Sequence, residues 1–176
     1  MNVLYLLDKF PKISETFILN EIIALKQLGH TVLIAANAPE CGNFHEGIKK
    51  HNLLNNIIYP SDMPNFTGYK NGTQKALDFF LKLFRDFIKQ PWRTIEIVYK
   101  SLKISGNIWL FLDNYLLARK LGGLQADIIH ASYAFLRHLE RAVLLSDLFR
   151  VPFTCTLRAE DIYAENGMRK KMELLK

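Results

Sequence analysis

The stretch FPKISETFILNEIIALKQLGH, residues 10–30, lies between the apolar run Val3 to Leu7 and a β-prone run, Thr31 to Ala36. Together these segments read as strand, polar loop, helix, strand. Val3 to Leu7 is short, continuously apolar and closed by Asp8 and Pro11, the pattern of a strand buried on both faces of a parallel sheet. The helix is expected to open at Ser14, a preferred N-cap residue, with Glu15 in its first turn and Ile13 and Ile18 as a hydrophobic staple. Ile18, Ile22 and Leu25, flanked by Phe17 and Leu28, form one apolar stripe, and Gly29 is placed to end the helix. A strand that feeds a polar loop into a helix N-terminus leaves backbone N–H groups without intrahelical partners, a setting suited to an anion. Ser14, Glu15 and Thr16 stand at that junction.

Outward from this segment the pattern repeats. Residues 37–55 read as loop with one helical turn around Glu46 to His51, and Ile57 to Tyr59 as a third strand ended by Pro60. Pro64, Gly68 and Gly72 mark a second loop. Between Thr73 and Leu121 the period becomes helical, divided by Pro91 and Gly106 into two or three segments. In the first, Ala76, Leu77, Phe80, Leu81, Phe84, Phe87 and Ile88 recur on one side, with Lys75, Asp78, Lys82, Arg85 and Lys89 opposite. Asp127 to His130 reads as a fourth strand, Phe135 to Phe149 as a helix and Phe153 to Leu157 as a fifth strand. This alternation predicts an α/β fold: a Rossmann-like parallel sheet of right-handed βαβ units with helices on both faces, one domain over residues 1–176 with a helical insertion at about 73–121.

Composition narrows the function classes. With 176 residues, 49% of them hydrophobic, the chain can bury one substantial core. Its longest stretch without Asp, Glu, Lys or Arg, Gln27 to Pro39, falls short of the roughly 20 apolar residues that span a bilayer. Val3 to Leu7 is too short for a secretory signal, so a cytoplasmic location is expected. Cys41 and Cys155 lie far apart and outside any zinc-ligand spacing, and no metal site is expected. The net charge of +6 attracts polyanions, but its basic residues are scattered and no nucleic-acid-binding signature appears. An anionic membrane surface or a phosphorylated substrate accounts for the charge equally well.

In an open parallel sheet, ligands bind beyond the carboxyl ends of the strands. The first strand leads to Lys12, Ser14, Glu15 and Thr16, the fourth to His130 and Ser132, and the fifth to Arg158, Glu160 and Asp161. Neither G-x-G-x-x-G after the first strand nor G-x-x-x-x-G-K-[ST] occurs, which argues against a standard dinucleotide dehydrogenase and a P-loop NTPase. Helix capping by Ser14 to Thr16, a hydrogen-bonded structural role for His130 and a turn-capping role for Asp161 are the plain alternatives to ligand contact.

The segment at 10–30 resembles the opening signature FPxxSETFIxxEIxxLxxxGH of bacterial family 4 glycosyltransferases, especially those of colanic-acid and exopolysaccharide biosynthesis. ADIIHASYA, residues 126–134, is similar to that family's DxxHAHFA, and VPFTCTLRAEDIY, residues 151–163, to its xPFxxTxHAxDIY. The middle third matches only in helical character. The resemblance implies the N-terminal, acceptor-side half of a GT-B architecture, the C-terminal donor-binding domain being absent from these residues or supplied by a partner chain. It implies a retaining transferase using a nucleotide-sugar as donor substrate, no cofactor and no required metal, and a saccharide or lipid-linked acceptor; this chain alone is expected to be inactive. His130 and Arg158 are then the catalytic candidates, with Lys12, Ser14, Glu15, Thr16, Ser132 and Asp161 binding substrate. Two positions depart from the pattern: Ser132 and Arg158 stand where the family has histidine. Arginine stays protonated and suits a phosphate or carboxylate, not proton exchange. That departure supports an alternative reading, a non-catalytic saccharide- or protein-binding module. The amphipathic stretch at 73–90 either packs its apolar face on the protein or rests at an anionic membrane surface, peripheral to the cytoplasmic face.

Overall fold

The computed structural model describes residues 1–12, 14–38, 45–59, 72–133 and 136–156. Five parallel strands form one sheet: β1 (Asn2–Lys9), β2 (Thr31–Ala38), β3 (Ile57–Ile58), β4 (Ile128–Ala131) and β5 (Phe153–Cys155). Their order is β3-β2-β1-β4-β5. The chain moves outward from β1 to one edge and then returns to the other side of β1, so the topological switch lies between β1 and β4. Helices α1 (Thr16–Gln27), α2 (Glu46–Lys50) and α6 (Leu136–Phe149) accompany the sheet, and α3 (Gly72–Lys89), α4 (Pro91–Ile104) and α5 (Ile108–Leu121) make a helical run between β3 and β4. This is the Rossmann-like α/β fold that the strand–helix alternation predicts.

Alternation along β1 shows why both faces are covered. Val3, Tyr5 and Leu7 join Ile18, Leu19 and Ile22 of α1 in one buried cluster with Val32 and Ile34 of β2. Leu4 and Leu6 point the other way and are equally buried. On that second face α6 packs against β1, β4 and β5, contributing the buried Leu139, Ala142 and Leu145. A strand apolar at every position is therefore the expected product of a two-sided sheet, and register pairs Tyr5 with His130 and His130 with Thr154.

The boundaries of α1 correct one expectation. The helix opens at Thr16 with Glu15 as N-cap residue, not at Ser14, and Glu15 makes no side-chain capping bond. The cause is local: Lys12 Nζ holds Glu15 Oε1 at 2.6 Å, and the Glu15 N–H donates to the Lys12 carbonyl at 3.3 Å, so a turn consumes the residues expected to start the helix. Ile13, the other half of the expected staple, lies outside the described residues. The C-terminus behaves as read. Gly29 adopts φ +83°, its N–H donates to the Lys26 carbonyl and the His30 N–H to the Leu25 carbonyl, which closes a Schellman motif.

The chain divides into two compact units, one containing Met1–Tyr59 and Gln125–Lys176, the other Pro60–Leu124. In the second, α4 packs against both α3 and α5. Phe79 of α3 meets Phe111 and Tyr115 of α5 edge-on, at ring-centroid distances of 5.4 and 5.1 Å. Beside them Asp86 accepts hydrogen bonds from Tyr115 Oη at 3.2 Å and from Arg119 Nε. Burial, reinforced by Asp86, raises the Tyr115 phenol and keeps it neutral.

Candidate functional site

The site forms around His130, on the β4 strand beside the switch point. Its ring stacks at a tilt on Tyr5 of β1, with centroids 4.8 Å apart. Nδ1 lies 2.9 Å from Thr154 Oγ1 on β5, and Nε2 lies 3.4 Å from Thr156 Oγ1 and 3.8 Å from Glu21 Oε1 on α1. The same Glu21 oxygen accepts the Tyr5 hydroxyl at 2.8 Å. Two adjacent strands and one helix thus surround a single imidazole with a phenol, a carboxylate and two hydroxyls. Burial, then the hydrogen bond and charge of Glu21, raises the Tyr5 phenol, which remains a neutral donor throughout the ordinary pH range. Glu21 is oriented by that donor and faces His130 with its negative charge. A proton taken up by the ring is therefore met by a carboxylate within 4 Å.

The loop between β1 and α1 forms the adjoining wall. Phe10 is buried in the core, and its carbonyl accepts the Tyr59 hydroxyl at 2.8 Å, which fixes the loop at its first residue. Lys12 is half-buried and paired with Glu15, whereas Ser14 and Thr16 are exposed. Phe17, one residue into the helix, meets Tyr133 edge-on at 6.4 Å. That contact sets the start of α1 beside the segment leaving β4. Ser132 is fully buried in that segment, so its hydroxyl is enclosed by protein.

A second polar chain crosses the carboxyl ends of β1 and β2. Arg141 of α6, only 4% exposed, donates from Nη1 to Asn37 Oδ1, and Asn37 Nδ2 donates to Asp8 Oδ1 at 2.8 Å. A buried guanidinium anchored in this way is a fixed positive charge at the ligand end of the sheet.

The structure therefore gathers His130 with Tyr5, Glu21, Thr154 and Thr156, and pairs Lys12 with Glu15. Arg158 and Asp161 lie outside the described residues. Glu21, Tyr5, Thr154 and Arg141 are not singled out by the sequence reading. Glu21 had a signal available: it is a charged residue one position from the apolar stripe of α1, on a helix whose inner face meets the strands. Among the described residues, no group of three or more His, Cys, Asp or Glu is arranged to hold a metal ion.

Compared with known proteins, the chain matches no family model, no curated protein and no solved structure.

Proposed function

We propose that the chain is the acceptor-side domain of a GT-B glycosyltransferase that moves a sugar from a nucleotide-sugar to a saccharide or lipid-linked acceptor in cell-surface polysaccharide biosynthesis. The observation that carries this reading is the position of His130. It belongs to the second of three motifs that resemble the family, and it sits at the β1–β4 switch with Glu21, itself part of the first motif, facing its Nε2 atom. Two segments distant in sequence, both resembling the family, thus supply one proton-handling pair where an open parallel sheet takes its ligands.

In the proposed reaction the acceptor hydroxyl oxygen forms a bond to the anomeric carbon of the donor on the same face from which the bond to the diphosphate breaks, so that the configuration is retained. His130 accepts the hydroxyl proton, Glu21 stabilises the resulting imidazolium, and the nucleoside diphosphate leaves with the bonding electrons. Lys12 and Arg158 supply positive charge toward the departing diphosphate, with Ser14, Glu15, Thr16 and Asp161 contacting substrate hydroxyls. Donor recognition falls to a second domain or partner chain. Transfer takes place in the cytoplasm, at the inner membrane face where the acceptor is lipid-linked.

Labelled nucleotide-sugars supplied to the intact protein with cell-extracted acceptor should yield a labelled saccharide. Failure with every donor tested would favour the second reading, a saccharide- or protein-binding module without turnover. One observation favours that reading: Ser132 and Arg158 occupy the two positions where the resembled pattern has histidine.

A further inference from the structure

The helical unit carries two apolar faces where its own packing uses one. Phe79 provides the inner face of α3 and is 4% exposed. The stripe that dominates the helix in sequence points elsewhere: Phe80, Leu81, Phe84 and Ile88 are 63–69% exposed. Trp92, at the start of α4, is 83% exposed, and Tyr99 lies two turns further on at 65%. Between the two helices runs an apolar groove of about 560 Å³ lined by Phe80, Phe84, Phe87, Ile95, Val98 and Leu102. Of the two outcomes that the sequence leaves open for this stretch, packing on the protein therefore accounts for Phe79 and not for the exposed stripe. Among the described residues no helix is long and apolar enough to cross a membrane.

We infer that α3 and α4 form a docking surface for a negatively charged lipid bilayer, with the outer arc entering the interface and the groove receiving hydrocarbon from the lipid chains. Charge selects this occupant. Residues 72–104 contain seven basic and three acidic side chains. Arg85 is one turn from both Leu81 and Ile88 on the helix surface, Lys89 follows one turn later, and Lys103 follows Tyr99; all three cations are exposed. Cations bordering an apolar, aromatic arc are the arrangement of an interfacial helix, in which apolar burial and attraction to anionic headgroups act together. A second copy of the chain would bring the same positive border against itself, which favours an anionic surface over self-association.

Flotation of the intact protein with vesicles of phosphatidylcholine, alone or mixed with phosphatidylglycerol, tests the inference and requires no sugar transfer. It is therefore independent of the transferase reading. The wild-type protein should float with the mixed vesicles and remain largely unbound with phosphatidylcholine alone. Arg85→Ala and Lys89→Ala should each weaken binding about fivefold at low salt. Phe84→Ser with Trp92→Ser should weaken it at least about tenfold at an unchanged melting midpoint, since both positions are exposed. Equal binding to the two vesicle types, no binding to either, or wild-type flotation by both sets of variants would overturn the inference. So would lipid-free dimerisation that the Phe84→Ser, Trp92→Ser protein loses, because the face would then be a contact between copies.

Discussion

Glu21 Oε1 accepts the Tyr5 hydroxyl at 2.8 Å while lying 3.8 Å from His130 Nε2, so one carboxylate connects helix α1 to two neighbouring strands of the sheet. Tyr5→Phe removes the donor and leaves the ring volume unchanged. Glu21 is half-buried and gains water in exchange, so the loss of stability should be about 1 kcal/mol by urea denaturation at neutral pH. A double-mutant cycle with Glu21→Ala, which removes the acceptor, should show coupling between the two positions. Additive effects would mean that the hydrogen bond contributes nothing to the folded state.

The core beneath this pair makes a larger prediction. Ile22 has no exposed surface and belongs to one buried cluster with Tyr5 and the β2 side chains Val32 and Ile34. Ile22→Ala leaves a cavity that the two-sided sheet cannot collapse into, and should cost about 2–5 kcal/mol in chemical denaturation. Ala24, exposed on the same helix, offers a control, since Ala24→Ser should cost about 0.5 kcal/mol or less.

Gly29 closes α1 with φ +83°, and a Cβ there would meet nothing within 4 Å. Gly29→Ala therefore isolates backbone conformation from steric clash, and should lower stability by about 1–2 kcal/mol. Gly29→Asn, which tolerates the left-handed region, should lose less; equal losses in the two variants would contradict a conformational origin.

Alkaline pH should destabilise the fold. Burial raises the Tyr59 phenol from 10.0 to about 12, and burial together with Glu21 raises Tyr5 further. Between those limits the unfolded chain has released protons that the folded chain retains. Stability contributed by these groups is complete below pH 10 and declines as pH rises through the folded value. The urea midpoint should fall between about pH 10 and pH 12, and Tyr59→Phe should fall less steeply than the wild-type protein. A midpoint that stays level through that interval would contradict the burial of these phenols.

What sequence reveals of this molecule follows the range over which its signals act. Apolar runs at Val3–Leu7 and Thr31–Ala36, the break at Pro91 and the stop at Gly29 are local, and they disclose the sheet class, the start of α4 and the end of α1. The N-cap of α1 lies at Glu15, one residue beyond Ser14, because Lys12 competes for Glu15, an interaction that capping preference does not include. Periodicity finds the stripe of α3 but not its surroundings. Phe79 is the buried ring there, while Phe80 and Phe84 lie in solvent, because the direction of α5 decides which face is inner. The candidate site has the same limit. His130 is visible at a strand end, yet Glu21 joins it only through the order β2-β1-β4-β5, which no local pattern encodes.

The most direct test of the account is sugar transfer by the intact protein with His130 intact and with His130→Ala, measured as kcat/KM for the best nucleotide-sugar donor. Loss of a positioned proton acceptor should lower it by about 10²-fold or more, with Glu21→Gln giving a smaller loss and both variants folding normally. Transfer by His130→Ala at the wild-type rate would contradict the assignment of the β1–β4 switch as the reacting site.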